Sequence, residues 1–394
     1  MFLQHMVATV LVSALHVNTL STIIWVNVMA QLFLPSDSTN EAPNTSPRQP
    51  DNLTAYRTPG NELPTNPYST LDHFLPKVEI GHSVQARPNG ESKPVPGETT
   101  HQTITVDGKE RDYDVHIPKD WDGKTPLPVL YYFNGLSPGS REKESFTGLT
   151  ERADREHFAV VYMDGAGKGH SYNNGQAVFN DGMDENKYLN AVHDKIKSNL
   201  PIAANYQGLA GFSEGGSEAL GLASKNNWVS SVQTVEGYMT GHEQALNRPI
   251  SAQMINAVHD TIVPIGGTAS VEANAKASSW YSPSHIFNQA VGTIESLNNY
   301  IEPQSYAITK FTAADATNSM QKVETNNHNE IDNYKNSTTG VEVKAVQLST
   351  GTHGWAGSTD HSGDIHFMNL GVPNETFSAS ESITKFFLEH PLGH

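Results

Sequence analysis

The chain has 394 residues, among them 31 glycines, 22 prolines and no cysteine, which is room for one large domain with appendages. Forty-two acidic against 25 basic residues leave a formal charge of -17, which opposes nucleic acid and anionic membrane surfaces as partners and favours a neutral or hydrophobic one. The missing cysteines exclude disulfides, thiolate metal sites, cysteine nucleophiles and lipid-modified cysteine anchors, and they leave the redox compartment unread.

Residues 6–34 contain no Lys, Arg, Asp or Glu and are mostly apolar, interrupted by His16, Asn18 and Asn27. Residues 1–34 therefore read as an export signal or a membrane anchor, with Val28-Met29-Ala30 offering small residues for cleavage. A positive n-region is missing, which leaves a retained anchor or a mis-assigned start as alternatives to export. The expected location is secreted or extracytoplasmic, with membrane contact only through this segment. Residues 35–98 are rich in Pro, Asn, Ser and Thr without sustained periodicity, the composition of a poorly ordered linker.

A folded domain is expected over 99–394. It opens with alternation on either side of Asp107-Gly108, from His101 to Val106 and from Arg111 to Ile117, which is a hairpin signal. The continuous apolar runs Leu127–Phe133 and Phe158–Met163 follow, separated by residues at helical spacing; runs of this kind fit strands covered on both faces. Strand, helix and strand in that order predict a right-handed crossover and a mainly parallel sheet flanked by helices. Further buried strands are expected at Ser251–Val258 and Val341–Leu348. Between them, residues near 280–335 are polar and rich in Asn and Ser, and they read as an insertion or lid-like excursion, or as an ordinary pair of surface helices with loops.

The chemistry centres on Gly211-Phe212-Ser213-Glu214-Gly215, a pentad of the Gly-x-Ser-x-Gly form that lifts a serine hydroxyl out of a strand-to-helix turn. Such a pentad is weak evidence alone. Asn205–Ala210 before it can form a short buried strand, and Gly216–Ala223 after it has small and apolar residues at helical spacing. A serine nucleophile needs a base, and the base needs an orienting acid; both follow in the order serine, acid, histidine. Asp260 lies 47 residues after Ser213, at the end of the strand-like Met254–Val258, and His353 follows the strand-like Val341–Leu348.

Other candidates have plainer readings. His259 neighbours Asp260 but points to the opposite side of an extended segment. Asp360, His361, Asp364 and His366 resemble a metal cluster in sequence, yet lack ligand spacing on a defined element and read as a solvated loop. Ser217, one helical turn beyond Ser213, reads as helix surface, and Glu214 as a solvated acid favoured by the helix dipole.

Three motifs together resemble the secreted esterase family that includes poly(3-hydroxybutyrate) depolymerases and feruloyl esterases. They are Gly211–Gly216 at the serine, Asp260-Thr261-Ile262-Val263-Pro264 at the acid and Thr352-His353-Gly354-Trp355-Ala356-Gly357 at the histidine. Tyr162–Gly165 and Ala379–Phe387 also resemble family segments, so the likeness spans residues 100–390. It implies an α/β-hydrolase fold and a serine esterase working through an acyl-enzyme without metal or cofactor. Ser213 would be the nucleophile, His353 the base and then acid, and Asp260 the orienting acid. The backbone N–H groups of Glu214 and Leu136 would bind the oxyanion.

The expected partner is an ester, polymeric or small, of polyester, hydroxyacid or feruloyl type, and not a nucleic acid. A peptidase or thioesterase on the same fold, and a non-catalytic hydrolase-like binding protein, are the rival readings. Asn134, Tyr172 and Trp355 are candidates for the substrate pocket, the two aromatics being equally compatible with the core. Asn134-Gly135 and Asn256-Ala257 stand where family members commonly have His-Gly.

Overall fold

A computed structural model describes residues 94–136, 143–167, 170–176, 182–260, 262–267, 301–316, 320–326, 329–358 and 374–393. The apolar segment 1–34, most of the linker 35–98 and the cluster at 360–366 lie outside these residues. Among the described residues, no helix is long and apolar enough to cross a membrane.

Ten strands form one sheet. It begins with the antiparallel hairpin β1 (Thr99–Val106) and β2 (Lys109–His116), whose pairing closes at Val106 opposite Lys109 across the two-residue turn Asp107-Gly108. The turn dipeptide and the alternation on either side set this register locally, as the sequence predicts. β3 (Leu127–Phe133), β4 (Ala159–Met163), β5 (Ile202–Phe212), β6 (Ser231–Val235), β7 (Ser251–Ala257) and β10 (Glu342–Leu348) make the parallel centre. With β8 (Met320–Asn326) and β9 (Asn329–Lys335) at the far edge, the order is β1-β2-β4-β3-β5-β6-β7-β10-β9-β8. With helices on both faces, this is the α/β-hydrolase fold.

The strands' composition follows from burial on two sides. In β3, Val129, Tyr131 and Phe133 enter one core while Leu130 and Tyr132 enter the other, so alternate residues are all apolar. The first core is covered by α3 (Glu185–Asn199), α4 (Ser213–Ala223) and α5 (Gln304–Asp315), through residues such as Tyr188, Val192, Leu220 and Phe311. The second is covered by α1 (Lys143–Thr147), α2 (Leu149–Glu156) and α6 (Ala379–Glu389), through Phe146, Leu149, Ile383 and Phe387. Fully burying a side chain of this size contributes about 1.5–3 kcal/mol, so the two layers supply most of the gross driving force. Helix starts are fixed by side chains: Asp184 accepts from Lys187 N at 2.9 Å at the head of α3, and Ser378 from Glu381 N at 3.3 Å at the head of α6.

The polar segment near 280–335 differs from the excursion expected of it. Its described part is α5, which packs its Ala307, Ile308 and Phe311 on the first core, and the hairpin β8 (Met320–Asn326) with β9 (Asn329–Lys335). β9 pairs antiparallel with β10, so the hairpin extends the sheet at its edge. An edge hairpin is polar because little covers it, and its low hydrophobicity hides it from a search for apolar runs.

Candidate active site

All the parallel strands point one way, so the loops beyond their carboxyl ends collect at one rim of the sheet, where α/β proteins place ligands. β5 ends at Phe212, and Ser213 begins α4 with φ at +54°. A non-glycine residue in this left-handed region stores about 1–3 kcal/mol of strain and persists only where the surroundings hold it. Here the glycines around it permit the turn. A Cβ on Gly215 would lie 2.1 Å from the carbonyl oxygen of Asn134 and 2.4 Å from that of Phe133. Only glycine lets the first turn of α4 press against the end of β3. At Gly135 a Cβ would meet Phe212 Cδ1 at 2.9 Å and Ser213 Cβ at 3.2 Å, which puts the loop after β3 directly against the serine.

Two further loops reach Ser213. Beyond β7, Asp260 is buried and its Oδ1 accepts from the backbone N–H groups of Ile262 and Val263 at 2.8 and 2.9 Å. Beyond β10, His353 brings Nδ1 to 2.6 Å from Asp260 Oδ2 and Nε2 to 2.8 Å from Ser213 Oγ. An ionised carboxylate only accepts, so Nδ1 carries the hydrogen and Nε2 is free to accept from the Ser213 hydroxyl. The Phe212 ring lies 5.2 Å from the imidazole, centroid to centroid, and Trp355 packs edge-on to Phe212, so an aromatic wall fixes the ring plane. The structure thus brings together Ser213, Asp260 and His353. The backbone of Glu214 lies in the first turn of α4, and that of Leu136 follows Gly135 on the loop pressed against Ser213.

Asn134, Tyr172 and Trp355, the three residues expected at the substrate pocket, are all fully buried. Trp355 donates Nε1–H to Ser380 Oγ at 2.8 Å and fills the second core between Tyr132 and Phe146. Tyr172 stacks edge-on to Phe133 and donates its hydroxyl to Asn134 Oδ1 at 2.6 Å. Asn134 Nδ2 in turn donates to the carbonyls of Gly135 at 2.7 Å and His170 at 3.3 Å. This asparagine ties the loop beside the serine to the loop after β4.

Two other readings change. Glu214 is buried, not solvated, and its carboxylate accepts from the backbone N–H of Tyr172 at 3.1 and 3.3 Å. Ser217 is buried as well, facing Asn174 Nδ2 at 3.5 Å. His259 is exposed while Asp260 beside it is buried, the opposed orientation expected of neighbours on extended chain. Asn256, the second departure from the family pattern, donates from Nδ2 to Gly237 O at 3.1 Å and accepts at Oδ1 from Gln304 Nε2 at 2.9 Å. It joins the loop after β6 to the start of α5.

Sequence reasoning missed one residue of this site. Glu236, directly after β6, is completely buried with φ at +51°, and both its carboxyl oxygens lie 3.0 Å from Ala257 N. Its carboxyl also contacts that of Asp260. An acid at the end of one parallel strand, one strand over from a candidate acid, is the signal that was available in Val235-Glu236-Gly237. No group of three or more His, Cys, Asp or Glu is placed to hold a metal ion among the described residues.

Fold and site together define an α/β-hydrolase with a serine, a histidine and an aspartate joined by hydrogen bonds at the strand-to-helix turn after β5. Residues 105–240 match the family model described as "Putative esterase". The chain is 23% identical over 313 residues to "Putative esterase NocK" of Nocardia uniformis subsp. tsuyamanensis, covering 76% of this chain and 83% of that one. Among solved structures, an acetyl xylan esterase from Aspergillus awamori aligns with a TM-score of 0.46 at 10% identity, over 69% of this chain and 99% of that one. An S-formylglutathione hydrolase from Agrobacterium tumefaciens aligns with a TM-score of 0.43 at 11% identity, over 74% and 95%.

Proposed function

We propose that this chain is a serine hydrolase that cleaves carboxylic esters through an acyl-enzyme intermediate. The observation that carries the reading is the pair of contacts made by His353, 2.8 Å to Ser213 Oγ and 2.6 Å to Asp260 Oδ2. In the first half-reaction Ser213 Oγ attacks the acyl carbon while His353 Nε2 takes its proton, and the buried Asp260 carboxylate stabilises the imidazolium. The oxyanion is held by the N–H groups of Glu214, at the positive end of α4, and of Leu136. His353 then gives its proton to the departing alcohol. In the second half-reaction it takes a proton from water, whose oxygen attacks the acyl carbon and releases the acid with Ser213 restored.

The family model and the similarity to NocK, both described as esterase, support an ester over other acyl substrates. Within esters, the motifs at Ser213, Asp260 and His353 favour a polyester, hydroxyacid or feruloyl-type substrate. We place the protein outside the cytoplasm on its apolar residues 6–34.

A fluorophosphonate probe followed by a panel of ester, thioester and peptide substrates tests this reading. Labelling at Ser213 with preferential ester turnover is expected. Ser213→Ala should remove nearly all turnover, whereas Asp260→Asn should leave a measurable remnant, because the nucleophile and oxyanion donors survive. Full turnover by Ser213→Ala would overturn the mechanism, and rapid peptide cleavage with inert esters would replace the esterase by a peptidase.

A further inference from the structure

Glu236 is a fully buried carboxyl in contact with Asp260 that the mechanism above does not use. We infer that Glu236 is protonated at neutral pH and donates its hydroxyl hydrogen to the Asp260 carboxylate, as a positioning residue for the triad. The inference rests on the reading of Asp260 as the acid that serves His353.

Three observations carry it. Glu236 and Asp260 are both buried, with their carboxyl groups in hydrogen-bonding contact. Two carboxylates cannot meet in this way unless one proton lies between them. The second observation says which of them holds it. Among the described residues, Asp260 receives three N–H donors, from Ile262, Val263 and His353, whereas Glu236 receives that of Ala257 alone. Donors stabilise the charged form, so the charge belongs on Asp260 and the proton on Glu236. Burial, followed by the charge of Asp260 and the contact with it, accordingly pushes the Glu236 carboxyl well above the ordinary range.

The third observation is backbone strain. Glu236 sits at φ +51° in the tight turn after β6, and its own N–H is held by Ile255 O at 2.8 Å. A glycine would fit this turn without strain, so a glutamate there implies that its side chain is needed. With its carbonyl oxygen accepting from Ala257 N and its hydroxyl donating to Asp260, Glu236 ties the ends of β6 and β7 to one carboxylate. Among the described residues, the titratable groups facing Glu236 are Asp260 and, across Asp260, His353.

Two variants and two readouts test this. Glu236→Gln keeps an acceptor for Ala257 N and a donor for Asp260 in the same shape, while Glu236→Met removes both. An infrared difference spectrum of wild type minus Glu236→Gln at neutral pH should contain the carbonyl stretch of a protonated carboxylic acid. Only carboxylate bands in that difference would overturn the inference, and this readout needs no turnover. Where the infrared band is present but no ester is turned over, the esterase reading fails while the inference stands. Where turnover is normal and the band is missing, the inference alone fails.

Kinetics give the role. Glu236→Met should lower kcat about tenfold at little-changed KM, the size expected for losing a hydrogen bond to a charged group. The conservative Gln should restore most of that loss and keep the acid limb of the kcat/KM pH profile in place. An acid limb displaced by about a pH unit or more in Glu236→Gln would mean that a charge had been removed beside Asp260, and would overturn the protonation assigned here.

Discussion

Replacing Asp315 by Asn should change the stability of this protein in opposite directions at the two ends of the pH range. Asp315 closes α5, is buried, and accepts from Ile250 N at 2.9 Å through Oδ1, while Oδ2 has no hydrogen-bond partner among the described residues. Burial pushes its carboxyl from 3.8 up to about 7, against the Ile250 hydrogen bond and the Arg248 charge. An acid raised on folding contributes most when it is protonated. Its stabilisation is complete below 3.8 and is lost as the pH rises through about 7. The interval between those values, at about 1.4 kcal/mol per pH unit, makes the ionised form cost roughly 4 kcal/mol by about pH 9. Asn removes that cost but puts an unpartnered N–H where Oδ2 was, a penalty of about 1–3 kcal/mol. The variant should therefore be more stable than wild type by about 1–3 kcal/mol near pH 9 and less stable by a similar amount near pH 4. Urea unfolding across this range, with the slope of each transition compared, measures both ends. A difference of one sign and constant size from about pH 4 to about pH 9 would refute the assignment of a proton to Asp315.

Two further substitutions probe the frame of the site. Gly215→Ala would place a methyl 2.1 Å from a backbone oxygen that cannot move aside, so a loss above about 4 kcal/mol or failure to fold is expected; a variant with wild-type Tm would contradict the packing of α4 on β3. Tyr172→Phe strands Asn134 Oδ1 in the interior and should cost about 1–3 kcal/mol in denaturant unfolding. Because Tyr172 is core, KM should stay unchanged in that variant, and a large rise in KM with intact stability would return Tyr172 to the substrate pocket.

The sequence was legible where local chemistry dictates structure. Asp107-Gly108 with alternation on either side sets a hairpin register, and an all-apolar run such as Val129–Phe133 has no stable home except between two layers. The order of Ser213, Asp260 and His353 at strand ends was legible for the same reason, since a parallel sheet delivers its strand ends to one rim. What was not legible depended on burial in three dimensions. Glu214 and Ser217 read as surface because charge and hydroxyl are usually solvated, yet partners distant in sequence, Tyr172 and Asn174, receive them inside. Trp355 and Tyr172 are equally plausible in a pocket or in a core until the packing partners Phe212 and Phe133 are known. The edge hairpin of β8 and β9 escaped notice because edge strands need few apolar residues.

Three buried polar residues near Ser213 have a common physical role in the fold. Asn134, Asn256 and Glu214 each connect two loops at the carboxyl rim: β3 to β4, β6 to α5, and the serine turn to the loop carrying Tyr172. Apart from the part-buried bond to His170 O, these bonds are made in the interior, where a lost partner leaves an unsatisfied group instead of one that water can rescue. Rigidity at this rim therefore comes from buried polar pairs between loops, and the hydroxyl of Ser213, about 8% exposed as a residue, is held between them. Glu236 extends the same device one strand further, to the acid. The consequence is directional: removing any one brace should act on kcat through the placement of Ser213, His353 or Asp260, and should leave ground-state binding nearly untouched, because the bracing side chains are buried.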